Sequence, residues 1–204
     1  LEIGPGLGSL TLALLENAHQ VLAVEIDDRL ANQLPITVEK HGFDSKKLIV
    51  LNQDAMGLMQ LPTKPTVLVA NLPYNISVPV LLNLLERFPS INRGVVMVQS
   101  EVADRLVAQV GSDAYGAVSV KITYWATAKI VGAVPATVFF PQPRVESALV
   151  DIRRRDEPGV AQVVSGELFA LVRAGFAKRR KMLRRALVDI ALPEDFASAA
   201  VNPE

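Results

Sequence analysis

Asn71-Leu72-Pro73-Tyr74 places a side-chain amide, an apolar residue, a rigid ring and a hydroxyl-bearing aromatic in one short run. The group that such a set suits is an exocyclic aromatic amine. That amine is a poor nucleophile because its lone pair is delocalised into the ring, and a protein helps by accepting hydrogen bonds from both of its N–H groups. The Asn71 side-chain oxygen is one acceptor, and a backbone carbonyl near Leu72 or Pro73 is the other. Together they favour a tetrahedral nitrogen that can attack an electrophile. Asn71 has no useful pKa, so it orients and polarises and does not serve as a base. Tyr74 is placed to stack on a flipped base, an interaction worth roughly 1 to 3 kcal/mol and comparable to the cost of unstacking one. Pro73 stiffens the turn. Turns rich in Asn and Pro also end many strands without any chemistry, so position in the fold has to decide.

A cofactor site is suggested upstream. Glu2-Ile3-Gly4-Pro5-Gly6-Leu7-Gly8 reads as a strand running through a glycine turn into a helix. Missing side chains there let a ligand approach the backbone, and the helix N-terminus offers free N–H groups. Such a turn needs glycine for its geometry alone, which makes the loop weak by itself. About twenty residues on, Val24-Glu25-Ile26-Asp27 puts a carboxylate where a Rossmann-like fold holds a ribose by its hydroxyls. The plain alternatives are a strand-end carboxylate at Glu25 and a helix N-cap at Asp27 or Asp28. Asp54, followed by Ala55 in Asn52-Gln53-Asp54-Ala55-Met56, can accept a hydrogen bond from an adenine amine, or can be an ordinary exposed aspartate. Both NAD and S-adenosylmethionine fit these features. Glycines at alternate positions, unlike the G-x-G-x-x-G that seats a pyrophosphate, tilt the choice to S-adenosylmethionine. The Asn71-to-Tyr74 run decides it, because an oxidoreductase leaves that run unexplained.

These residues need a scaffold that presents strand ends on one edge. Apolar, β-branched runs predict strands at Val21–Val24, Leu48–Leu51, Val67–Ala70 and Val95–Val98. Helices are predicted at Leu10–Glu16, at Asp28–Leu34 with Pro35 ending it, at Val80–Arg87 and at Val102–Val110. The alternation predicts an α/β fold, a Rossmann-like, mostly parallel sheet with helices on both faces. Asn71 then falls at the carboxyl end of the fourth strand, where open α/β sheets bind ligands. Lys129–Val134 and Ala148–Arg153 read as a terminal strand pair at one edge, joined through the proline-rich loop Phe139–Arg144. Charge followed by Pro-Gly at Arg153–Gly159 marks a boundary, with residues 1–155 as the Rossmann-like domain and 156–204 as a small α-helical domain. The opening Leu1-Glu2-Ile3 lacks a lead-in to its strand, and the helical part is short for a core of its own, so both ends are expected to be cut.

Half of the 204 residues are apolar and 21% are charged, which fits a folded chain and excludes a disordered one. The 21 basic and 21 acidic residues cancel, so any pull on nucleic acid must come from local clusters. Without cysteine there are no disulfides or thiolate sites, and a reducing cytoplasm is expected. His19 and His41 have no ligand spacing, so no metal is expected. The longest apolar stretch, Val78–Leu85, is broken by Pro79 and Asn83, and no membrane span is expected.

Taken together, Glu2–Gly6, Asn71–Ser77, Gln99–Leu106, Ala114-Tyr115-Gly116 and Phe139–Ser147 resemble the ribosomal RNA adenine dimethyltransferases, over essentially the whole chain. The resemblance implies transfer of methyl groups from S-adenosylmethionine to adenine N6, with Gly4, Glu25, Asp54 and Asn71 contacting the cofactor. It also implies that Phe139 closes the face of the adenine opposite Tyr74; read without it, Phe139 and Phe140 are loop-anchoring aromatics. The implied substrate is small-subunit ribosomal RNA, at two adjacent adenines near its 3′ end, within an immature subunit, and the enzyme is expected to act as a monomer. A second branch, which confers antibiotic resistance, modifies large-subunit RNA, and some relatives act as binding factors. Ala114-Tyr115-Gly116 and Val145-Glu146-Ser147 look more like the small-subunit branch. Lys178, Arg179, Arg180, Lys181, Arg184 and Arg185 form the one basic cluster suited to RNA phosphates. A solvated helix face is its plain alternative.

Overall fold

A computed structural model describes residues 1–160, 165–177 and 182–202. The strands are β1 (Glu2–Ile3), β2 (Val21–Glu25), β3 (Leu48–Asn52), β4 (Val67–Asn71), β5 (Arg93–Gln99), β6 (Ala126–Val134) and β7 (Ser147–Arg154). They form one sheet in the order β3-β2-β1-β4-β5-β7-β6. Strands β1 to β5 are parallel, while β7 runs antiparallel to both of its neighbours. All of β2 is buried, as a parallel strand covered on both faces must be. The expected α/β sheet is present, and the expected strand pair lies at one edge.

Helices α1 (Ser9–Asn17) and α2 (Asp28–Lys40) cover one face, packing Leu15, Leu34 and Val38 on Val21 and Ala23. Helices α3 (Ser77–Arg87), α4 (Ser100–Val107) and α5 (Ala117–Trp125) cover the other, where Leu81, Leu84, Leu85, Leu106 and Ile122 meet Val24, Leu68, Val96 and Val150. The change of face between Ala23 and Val24 is the two-residue period of a strand.

Three helices depart from expectation. Helix α2 does not stop at Pro35 but runs to Lys40. Proline inside a helix costs about 3 kcal/mol, and burying Leu34 and Val38 on the sheet, at roughly 1.5 to 3 kcal/mol each, offsets it. Helix α4 starts earlier than expected and ends at Val107, where the Ser119 hydroxyl donates to the Arg105 carbonyl at 2.7 Å and satisfies one last-turn acceptor. Helix α5 was not expected at all. Val118, Val120, Ile122, Thr123, Tyr124 and Trp125 are poor helix formers, and burial of Ser119, Ile122 and Tyr124 overrides that preference.

The arginines at the expected boundary are also structural. Arg154 reaches back under the end of α3, where its Nε donates to the Ile91 carbonyl at 2.7 Å and its Nη2 to the carbonyls of Leu85 and Phe88. Arg155 Nε donates to the Thr123 carbonyl at 2.7 Å, and Arg153 pairs with Asp151. Past them lie α6 (Ser165–Ala177), α7 (Leu183–Ala186) and α8 (Pro193–Ser198). Phe169 of α6 meets Tyr124 and Trp125 edge-on, at 5.4 and 6.5 Å between ring centres, which docks α6 on α5. Among the described residues no helix is long and apolar enough to cross a membrane.

Candidate active site

The carboxyl ends of β1, β2, β3 and β4 and the start of β7 share one edge of the sheet, since Ile3 pairs with Val24 and Ala70, Glu25 with Asn52, Asn71 with Met97, and Gln99 with Ser147. Glu25 and Asn71 end β2 and β4 on this edge, and Gly4 and Asp54 follow the ends of β1 and β3, because parallel strands all end there.

The glycine loop leaves β1 and enters α1. Gly4 and Gly6 hold φ of +67° and +56°, and a Cβ on either would meet open space, so the loop presents bare backbone outward. Gly8 answers a different need: a Cβ there would lie 2.7 Å from Leu34 Cδ1, so its absence lets α1 and α2 approach. Glu25, only 6% exposed, folds under the loop. Its Oε2 accepts the Gly6 N–H at 3.1 Å and its Oε1 the Asp27 N–H at 3.0 Å. Each oxygen keeps a second lone pair. Asp27 is the N-cap of α2, accepting from the N–H groups of Arg29 and Leu30.

Glu2 lies below the loop, 1% exposed, with Oε2 accepting the Thr11 hydroxyl at 2.7 Å. Its Oε1 is buried without a partner among the described residues. Burial pushes the carboxyl above its ordinary range, against the hydrogen bond from Thr11 that favours the charged form. Glu2 is thus tied to α1 through Thr11, whereas Glu25 bonds the loop itself through Gly6.

Asn52 joins the next two strand ends, its Nδ2 donating to the carbonyls of Glu25 at 3.0 Å and Ile26 at 3.3 Å. Asp54 is exposed and caps the short turn Ala55–Gly57, with its Oδ1 accepting the Met56 N–H at 2.9 Å. Ala55 is buried beside it. Ile26, which sequence reasoning passed over, directly follows Glu25 and is 68% exposed. An isoleucine set between two carboxylates, Glu25 and Asp27, past the end of an apolar run was the signal available for it.

Asn71 ends β4 with its side chain exposed, and Leu72, whose side chain is in the core, donates its N–H to the Met97 carbonyl at 3.1 Å. The Pro73 carbonyl accepts the Ile76 N–H at 3.1 Å and the Tyr74 carbonyl the Ser77 hydroxyl at 3.3 Å. Tyr74 is half-buried, and its hydroxyl is 2.9 Å from the Ser147 hydroxyl at the start of β7. Phe139 is also half-buried and begins the loop that returns to Ser147, while Phe140 is fully exposed beside it. The site is thus a bare-backbone loop, two strand-end carboxylates, a terminal asparagine and a tethered tyrosine along one edge.

A family model described as ribosomal RNA adenine dimethylase matches residues 1–202. The chain belongs to the ribosomal RNA adenine dimethylase family. A relative from Kineococcus radiotolerans, a ribosomal RNA small subunit methyltransferase A, is 54% identical over 100% of the chain and 69% of its own length. Its counterpart from Streptomyces griseus is 53% identical over 98% of the chain and 70% of its own length. Among solved structures, a dimethyladenosine transferase from Plasmodium falciparum has a TM-score of 0.79 at 27% identity, covering 100% of this chain and 74% of that one. The 23S rRNA methyltransferase ErmE has a TM-score of 0.72 at 27% identity, covering 99% and 81%. For a ribosomal RNA adenine dimethylase the basic cluster is the remaining expectation. Lys178, Arg179, Arg180 and Lys181 lie outside the described residues, while Arg184 and Arg185 are exposed on α7.

Proposed function

We propose that the protein transfers methyl groups from S-adenosylmethionine to the N6 amine of adenines in small-subunit ribosomal RNA, dimethylating two adjacent adenines near the 3′ end in an immature subunit. One observation carries the reading: identity above 50%, across nearly the whole chain, to relatives named small subunit methyltransferase A.

The edge suits the cofactor. Gly4 and Gly6 leave room where a side chain would block approach. The free lone pairs of Glu25 suit ribose hydroxyls, the exposed Ile26 offers an apolar face to adenine, and Asp54 keeps Oδ2 for its amine. Glu2 supports the loop from within, and Ala55 seats the turn that carries Asp54. When bound, S-adenosylmethionine supplies an electrophilic methyl on a cationic sulfur. Asn71 Oδ1 accepts a hydrogen bond from one N6–H of the target. The Leu72 carbonyl, or the second lone pair of the Pro73 carbonyl, accepts a hydrogen bond from the other. Tyr74 and Phe139 hold the two faces of the base. Since the transfer needs no strong base, alignment supplies most of the rate.

Residues 1–155 would form the catalytic unit and 156–204 the helical extension. Arg184 and Arg185, with Lys178 to Lys181, would track RNA phosphates, so affinity falls as salt rises. The protein would act as a monomer in the cytoplasm. The test is transfer of labelled methyl groups to undermethylated small subunits and to naked large-subunit RNA, with Asn71→Ala alongside. Dimethyladenine in the small subunit, reduced at least about 100-fold by the substitution, is expected, on the scale of losing one preorganised polar contact. Label in large-subunit RNA alone would move the protein to the resistance branch, and none in either would leave a binding role.

A further inference from the structure

We infer that Ser147 is a positioning residue that fixes the Tyr74 ring for base stacking; this rests on the function proposed above. Tyr74 lies in the irregular run between β4 and α3, and a phenol ring there turns freely about its side-chain bonds unless something holds its tip. The Ser147 hydroxyl, 2.9 Å from the Tyr74 hydroxyl, is that hold, and either group can donate. Ser147 itself is immobilised. It is 0% exposed and pairs with Gln99 of β5 on one side and Val134 of β6 on the other. The residue before it is held as well, through the Ser100 N–H donating to the Glu146 carbonyl at 3.0 Å. Control therefore runs from the sheet to the loop.

The same point ends the loop that carries Phe139. The connection that carries Phe139 leaves β6 at Val134 and re-enters the sheet at Ser147, which form a register pair. The residue that holds Tyr74 is thus also where the Phe139 loop re-enters the sheet. A stacking platform held at its hydroxyl loses no rotational freedom when the base arrives, which is how preorganisation raises both occupancy and rate.

The test uses the full protein with Ser147→Ala, Tyr74→Phe and the double variant. RNA carrying 2-aminopurine at the target position reports stacking through quenching. Each single variant is expected to lower kcat by about three- to tenfold, the range of one net hydrogen bond, and to weaken quenching, with S-adenosylhomocysteine affinity close to the parent's and Tm lower by no more than about 6 °C. Because both substitutions break the same bond, the double variant should be no worse than either alone. Effects that multiply in the double variant, or a Ser147→Ala protein that quenches like the parent, overturn the inference. Methyl transfer by the unaltered protein is measured in the same series. Its absence counts against the proposed function, while quenching and the double-variant comparison of quenching still decide the role of Ser147.

Discussion

Replacing Glu25 with glutamine separates its two duties. Its carboxylate accepts the Gly6 N–H at 3.1 Å and the Asp27 N–H at 3.0 Å while keeping lone pairs for a ribose. Glutamine offers one oxygen and one NH2 group, so one backbone donor faces another donor in a nearly closed space. A hydrogen bond to a charged group contributes about 1.5 to 3 kcal/mol. Losing one destabilises the cofactor-free protein by about that amount, a fall in Tm of about 3 to 12 °C at 2 to 4 °C per kcal/mol. Losing the charged acceptor for a ribose hydroxyl weakens the cofactor by a similar energy, about 10- to 150-fold, since 1.4 kcal/mol is tenfold. Calorimetric titration with S-adenosylhomocysteine gives the affinity, and melting without it gives the stability. Unchanged Tm would refute the loop-bracing argument. Affinity within about twofold of the parent, with lowered Tm, would refute the ribose contact alone.

Further outcomes follow from other contacts. Glu2→Gln should stabilise the protein at neutral pH: the folded carboxyl is raised, so its favourable contribution is full below the ordinary carboxylate range and fades as pH rises through the higher folded value. Melting from pH 4 to 8 should show the variant gaining on the parent as pH rises, by about 1.4 kcal/mol for each unit of displacement; a constant gap would contradict this. Gly8→Ala puts a Cβ 2.7 Å from Leu34 Cδ1 at a φ of +94°, and denaturant unfolding should show a loss of about 2 to 4 kcal/mol. Arg154→Ala leaves the Ile91, Leu85 and Phe88 carbonyls without their donor, and should cost about 2 to 4 kcal/mol by the same measurement while leaving cofactor affinity intact.

Residues at strand ends were legible in the sequence because two signals coincide there: an apolar run that stops, and a polar residue of definite chemistry where it stops. Glu25 and Asn71 both carry that pair of signals, and the structure ends β2 and β4 on them. Helix α5 was not legible, because its residues prefer strands and only the packing of Ile122 and Tyr124 makes it helical. The run of α2 through Pro35 was hidden for a related reason, since local rules do not weigh what Leu34 and Val38 gain from the sheet. Arg154 reads as linker charge until α3 is seen to end above it. The link from Tyr74 to Ser147 spans 73 residues, and no periodicity reports a contact at that distance.

The insertion of β7 between β5 and β6 orders the assembly of the molecule on the ribosome that makes it. Strands β1 to β5 join through successive crossovers and carry every proposed cofactor contact, so that half can form as it emerges. Among the described residues β6 pairs only with β7, and β5 keeps an open edge until β7 arrives. A nascent chain released before Ser147 would expose both edges to other chains. Translation stalled there should therefore yield a species that aggregates, whereas release after Arg154 closes the sheet.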